Sequence, residues 1–200
     1  AAWQLSAVEN FGSKESRDFF AATYSKYLSL LAITASIVIA ATKLLAKLLY
    51  RSDFYVAWKI VPILTVAAVF SGLSGFVGTV FTSHKSTKMI MYTTLLGAGV
   101  NIIFNLALIP QFQSIGAAVS TFISYVVIFV VRLVGAQKVL PFYRDWAKNV
   151  LTFILLGLQA ASMIALTEYG NLIACILVLP IVGLHASILK DTLRLLHLAR

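Results

Sequence analysis

Residues 115–134 read IGAAVSTFISYVVIFVVRLV, and inside them Ile123–Val131 (ISYVVIFVV) is broken by nothing more polar than one serine and one tyrosine. A helix needs about 20 mainly apolar residues to cross a bilayer, whereas a membrane β-strand alternates apolar and polar positions. This run is continuous, so it reads as a transmembrane helix. Working outward, five further segments have the same character: 27–49, 56–81, 89–109, 146–166 and 171–189. The expected fold is all-α, a polytopic bundle of six transmembrane helices over 27–189. Residues 1–26 are expected to hold the end of a preceding helix and a cytoplasmic connector, and 190–200 a basic cytoplasmic tail. Composition agrees: 60% of the chain is hydrophobic and 12% charged, against about 45–50% and about 25% in soluble domains. Mean hydropathy is +0.92.

Sixteen basic and seven acidic residues leave a net charge of +9. In a membrane chain such an excess reports topology and anionic-lipid contact, not nucleic acid. Twelve of the 16 basic residues fall before the first span, between spans two and three, around the turn between four and five, and in the tail. The positive-inside rule then puts the C-terminus in the cytoplasm. Arg132, at the end of the fourth span, is expected to snorkel toward headgroups. The opening Ala1-Ala2-Trp3 lacks both an initiator methionine and a signal-peptide n-region, so the chain is expected to begin inside a longer protein.

Polar residues within the spans are the candidate functional positions. Lys43, Lys47 and Arg51 repeat every fourth residue and Lys59 follows. They read either as interfacial snorkelling or as a cationic cavity lining. Gly97, Asn101 and Asn105 form one stripe, answered by Gly116, Ser120 and Ser124. That pair of stripes reads as interhelical hydrogen bonding or as a water-filled path. Pro62, with Ser71, Gly72, Ser74, Gly75 and Gly78, reads as a small-residue packing seam or a bending, gating helix. All seven carboxylates lie in loops or at helix ends. The three histidines have no metal-ligand spacing, and no nucleotide or hydrolase motif is present. No enzyme, metal or cofactor is expected. The single cysteine, Cys175, precludes an intrachain disulfide.

The stretch from Gly97 to Tyr125 (GAGVNIIFNLALIPQFQSIGAAVSTFISY) resembles polysaccharide-biosynthesis flippases, the O-antigen and exopolysaccharide repeat-unit transporters of the multidrug/oligosaccharidyl-lipid/polysaccharide exporter superfamily. Asn101, Asn105, Ile109-Pro110 and Ile115-Gly116-Ala117-Ala118 carry the resemblance. The segment from Ala2 to Ala7 and the run from Val61-Pro62 to Gly72 also look like the family. The likeness covers the chain to about Lys138. It implies the second six-helix bundle of a two-bundle transporter in the bacterial inner membrane, partnered by a missing N-terminal bundle, membrane lipid and other polysaccharide-assembly proteins. It also implies a polyprenyl-pyrophosphate-linked oligosaccharide as substrate, with Lys43, Lys47, Arg51, Lys59, Asn101 and Asn105 lining the cavity. A drug/cation antiporter of the same superfamily and a non-transporting membrane scaffold are the alternatives.

Overall fold

A computed structural model describes residues 13–49, 58–84, 86–143, 145–166 and 169–186. Their regular structure is helical: α1 (Lys14–Leu49), α2 (Val61–Ser83), α3 (Lys88–Val139), α4 (Trp146–Ala165) and α5 (Gly170–Leu184). The first four are long and apolar enough to cross a membrane. At 15 residues, α5 falls short of the usual span of about 20. The coarse expectation of an all-helical, membrane-type chain is met, while six separate spans are not counted in the described residues.

The sequence placed a charged connector before residue 27, but α1 begins at Lys14. Ser13 starts it: its hydroxyl accepts from the Ser16 amide at 3.0 Å, the bond that satisfies a free N–H in a helix's first turn. Glu15 in that turn complements the helix dipole. Phe20, Tyr24, Leu28 and Ala32 then recur on one buried stripe, so apolar periodicity continues through the charged stretch.

A single residue divides α3. Gln113 has φ 50° and ψ −125°, a conformation that non-glycine residues seldom adopt. The two arms, 88–112 and 114–139, match the two helices expected at 89–109 and 115–134. The first runs a turn beyond its expected end, because Pro110 lies inside the helix and near its end sacrifices only one backbone bond. The arms fold back on each other at glycines. Gly97 abuts the Ile128 side chain, and Gly116 abuts the backbone of Leu108 and Ile109.

The chain divides into two compact units, Ala1–Ser25 with Ala67–Arg144, and Lys26–Val66 with Asp145–Arg200. In the first, Phe20, Tyr24, Phe76 and Phe142 pack with ring centroids 5.7–6.4 Å apart. Phe70 meets Phe122 and Phe129 edge-on. In the second, Ala46, Trp58, Met163 and Ala174 form a buried cluster, and Gly170 brings α5 against the Ser162 carbonyl of α4.

Polarity is sorted the wrong way for water. Leu48, Ile103, Leu106, Leu158 and Leu179 are exposed, whereas Ser36, Ser120, Arg132, Thr152, Gln159 and His185 are buried. An apolar exterior around a hydrogen-bonded interior suits lipid as solvent, and is compatible with a multi-pass membrane protein.

Candidate functional site

The chemistry gathers in two polar interiors, one in each unit. In the first unit the central group is Arg132, only 8% exposed. It does not snorkel. Its Nε donates to Thr93 Oγ1 at 2.9 Å, and one terminal nitrogen donates to the Ser74 carbonyl at 3.0 Å. The other donates to Thr94 Oγ1 at 2.8 Å and to the Ile90 carbonyl at 3.4 Å. Thr93 and Thr94 can accept because their own hydroxyl protons go to Ile90 or Met89 carbonyls one turn back. The guanidinium therefore ties α2 to both arms of α3 and, among the described residues, does so through neutral groups. Snorkelling loses here because the two carbonyls and the two hydroxyls replace hydration without the side chain reaching the interface.

The small residues of α2 divide by position. Ser74 supplies the carbonyl for Arg132, and a methyl group on Gly78 would stand 3.6 Å from its guanidinium, in ordinary contact. Gly75 faces open space with nothing within 4 Å, so it forms no packing seam. Gly72 is half-buried. Pro62 is the second residue of α2, where its missing N–H removes no helical bond. It starts the helix and does not bend it.

The polar stripes of α3 bond along their own arms. Asn105 donates to Asn101 Oδ1 at 2.8 Å, Ser120 to the Gly116 carbonyl at 2.8 Å, and Ser124 to the Ser120 carbonyl at 2.7 Å. The expected interhelical bonding is replaced by local bonding, because a serine hydroxyl in a helix reaches the carbonyl four residues back at no cost in packing. Asn105 also borders a shallow open groove with Ile102, Leu106, Ile109 and Pro110.

Lys43 Nζ sits 5.0 Å above the Trp58 ring, an attraction of about 0.5–2 kcal/mol depending on desolvation. Lys47 is exposed and Lys59 half-buried. Arg51 lies outside the described residues.

Two buried hydrogen-bond junctions in this unit were not singled out from the sequence. His185, fully buried at the end of α5, bonds Ser29 Oγ at 2.7 Å and Thr152 Oγ1 at 3.0 Å. Thr152 gives its proton to the Lys148 carbonyl, so it accepts from His185 Nε2–H. Two turns along α1 and α4, Gln159 Nε2 donates to the carbonyls of Ser36 at 3.1 Å and Ala174 at 2.8 Å. Each junction joins α1, α4 and α5. A signal existed in the equal seven-residue spacing of Ser29 to Ser36 and Thr152 to Gln159, which places each pair on one helical face.

Among the described residues no three of His, Cys, Asp and Glu come together in a metal-binding group. No family model, curated protein or solved structure matches the chain.

Proposed function

We propose that the chain is a helix bundle of a bacterial inner-membrane transporter, crossing six times when the arms of α3 are counted separately, with its C-terminus in the cytoplasm. Its substrate is an oligosaccharide repeat unit linked to polyprenyl pyrophosphate, carried outward for surface-polysaccharide synthesis. The observation that carries the proposal is Arg132: a permanent positive charge, buried in an apolar bundle and held by neutral partners. Charges kept inside membrane bundles are expensive and mark substrate or ion routes. Among the described residues no carboxylate accompanies this cation, and that favours an anion passing near it. Pyrophosphate unaided would lose its hydration in hydrocarbon, and fixed positive charge supplies a substitute. Lys43, Lys47 and Lys59 extend the same sign in the second unit.

This sign of charge disfavours a drug/cation antiporter, which must attract positive ligands. The remaining rival is a membrane scaffold whose polar groups serve packing alone. Charge reversal separates them. The double variant Lys43→Glu with Lys47→Glu, introduced into the protein as the cells make it, is expected to abolish surface glycan while membrane levels of the protein stay unchanged. Normal glycan display at normal protein level would remove these lysines from the transport route and favour the scaffold.

A further inference from the structure

We infer that the outward faces of α2 and of the first arm of α3 form a hydrated groove, and that a phosphate ester binds in it beside Arg132. The inference rests on the reading of Arg132 as a charge kept for an anion, and names the surface on which that anion lies. On α2, Ser71, Gly75, Thr79 and Thr82 recur at steps of four, four and three, so they share one face. Gly75 and Thr82 are exposed and the other two half-buried. Leu64, near the start of α2, is the one exposed large apolar residue of that helix. The first arm of α3 is sorted by edge. Thr94, Ala98, Asn101 and Asn105 line one edge, whereas Leu96 and Ile103 are exposed on the opposite one. Acyl chains suit the second edge. An accessible surface of small residues, hydroxyls and amides in a membrane bundle suits water.

Arg132 sets the two faces side by side. Ser74 and Thr93 both bond the guanidinium, and the next residue on each helix, Gly75 and Thr94, is turned by about 100°. A short turn joins Ser83 to Lys88, so the two helices run in opposite directions and both turns lead to the same side. Thr94 itself accepts an Nη2 proton at 2.8 Å, which brings the charge to that side. Unspent donors are the second observation. Arginine has five N–H donors. Four go to Thr93, Ser74, Thr94 and the Ile90 carbonyl. The fifth, on Nη1 beside Gly78, meets no acceptor among the described residues. Asn101 accepts from Asn105, and among the described residues its own NH2 meets no acceptor either. Thr94 and Asn101 are seven residues apart, about 10 Å along the arm. Donors left over beside a buried guanidinium call for an anion rich in acceptors. A phosphate ester supplies charged oxygens for Arg132 and neutral oxygens, on its organic part, for Asn101.

Cysteine labelling tests the groove on the whole protein in phosphatidylcholine nanodiscs, with native cysteines, Cys175 among them, replaced by serine. Gly75→Cys, Thr79→Cys and Ala98→Cys are expected to react with a charged, water-soluble maleimide, and Ile103→Cys and Leu106→Cys to stay unmodified. Glucose 1-phosphate is expected to protect the groove thiols. Arg132→Met is expected to raise the concentration for half-protection at least about tenfold, the loss of one bond to a charged group. Discs containing phosphatidic acid separate the sources. Protection without added sugar phosphate assigns the seat to a lipid headgroup, and protection only with it assigns a soluble ester. Groove thiols as unreactive as Ile103→Cys would overturn the assignment, because a packed helix or acyl chains would then cover the face. So would labelling that neither ester slows. Protection that persists in a protein unable to transfer lipid-linked sugar would remove that substrate and leave the site standing.

Discussion

Replacing Arg132 with methionine leaves the chain at least as stable as before, whereas replacing Thr93 and Thr94 together with valine destabilises it by about 3 kcal/mol. The asymmetry follows from who depends on whom. Without the guanidinium, both threonine hydroxyls keep their bonds to carbonyls one turn back, and a flexible apolar chain refills most of the volume. Replacing a buried charge by a hydrophobic residue is often neutral or favourable. Without the hydroxyls, a charge that cannot be neutralised keeps the Ser74 and Ile90 carbonyls but loses two acceptors. Each hydrogen bond to a buried charged group contributes roughly 1.5–3 kcal/mol. The triple variant, with methionine at 132 and valine at both threonines, is expected to regain most of the loss. Equilibrium unfolding in micelles of the two variants and their combination measures that coupling. An Arg132→Met protein as unstable as the valine pair would mean the arginine is retained for folding, which removes the main support for a transport role.

Gly116→Ala is the second large effect, expected to cost about 1–3 kcal/mol, the range for overpacking a tight contact. The added methyl would stand 2.6 Å from the Leu108 carbonyl carbon and 3.0 Å from the Ile109 nitrogen. Both are backbone atoms that cannot rotate away, so the hairpin must open. Gly97→Ala clashes with the Ile128 side chain, which can change rotamer, and meets the Ser124 carbonyl oxygen at an ordinary 3.8 Å, so its cost is expected to be smaller. Gly75→Ala, in open space, is expected to be neutral or to gain up to about 1 kcal/mol from alanine's higher helix propensity. Thermal unfolding of the three variants in one detergent ranks them. Equal behaviour of Gly75→Ala and Gly116→Ala would contradict the close pairing of the α3 arms.

The arms of α3 were legible because apolar runs of this length have one physical solution in a bilayer, and Pro110-Gln111-Phe112-Gln113-Ser114 interrupts them with two glutamines and a proline. The beginning of α1 was not, since a charge-rich stretch reads as loop until its apolar positions are counted at helical period. Arg132 was misjudged for want of register. Once Gly97 is known to face Ile128, one turn outward along the antiparallel arms sets Thr93 beside Arg132, and the hydroxyl pair explains why the arginine can stay inside. Glycine spacing in α2 misled in the same way: Gly75 and Gly78 look equivalent in sequence, yet Gly78 stands with Ser74 beside Arg132 while Gly75 faces open space. The Gln159 and His185 junctions depend on three helices distant in sequence, with Ser36 and Gln159 123 positions apart; the matching seven-residue spacings mark a face on each helix without saying which helices meet.

The most direct measurement is transfer of lipid-linked sugar by the protein that carries this chain, reconstituted in sealed vesicles. A labelled oligosaccharide on polyprenyl pyrophosphate starts in both leaflets, and a membrane-impermeant glycosidase cuts only what reaches the outside. With the native protein nearly all of the sugar is expected to become cleavable. With Arg132→Met, folded to the same extent, cleavage should stop at the share present in the outer leaflet. Cleavage that halts at that share with the native protein as well, in vesicles where it is correctly folded, would contradict transport of this substrate class.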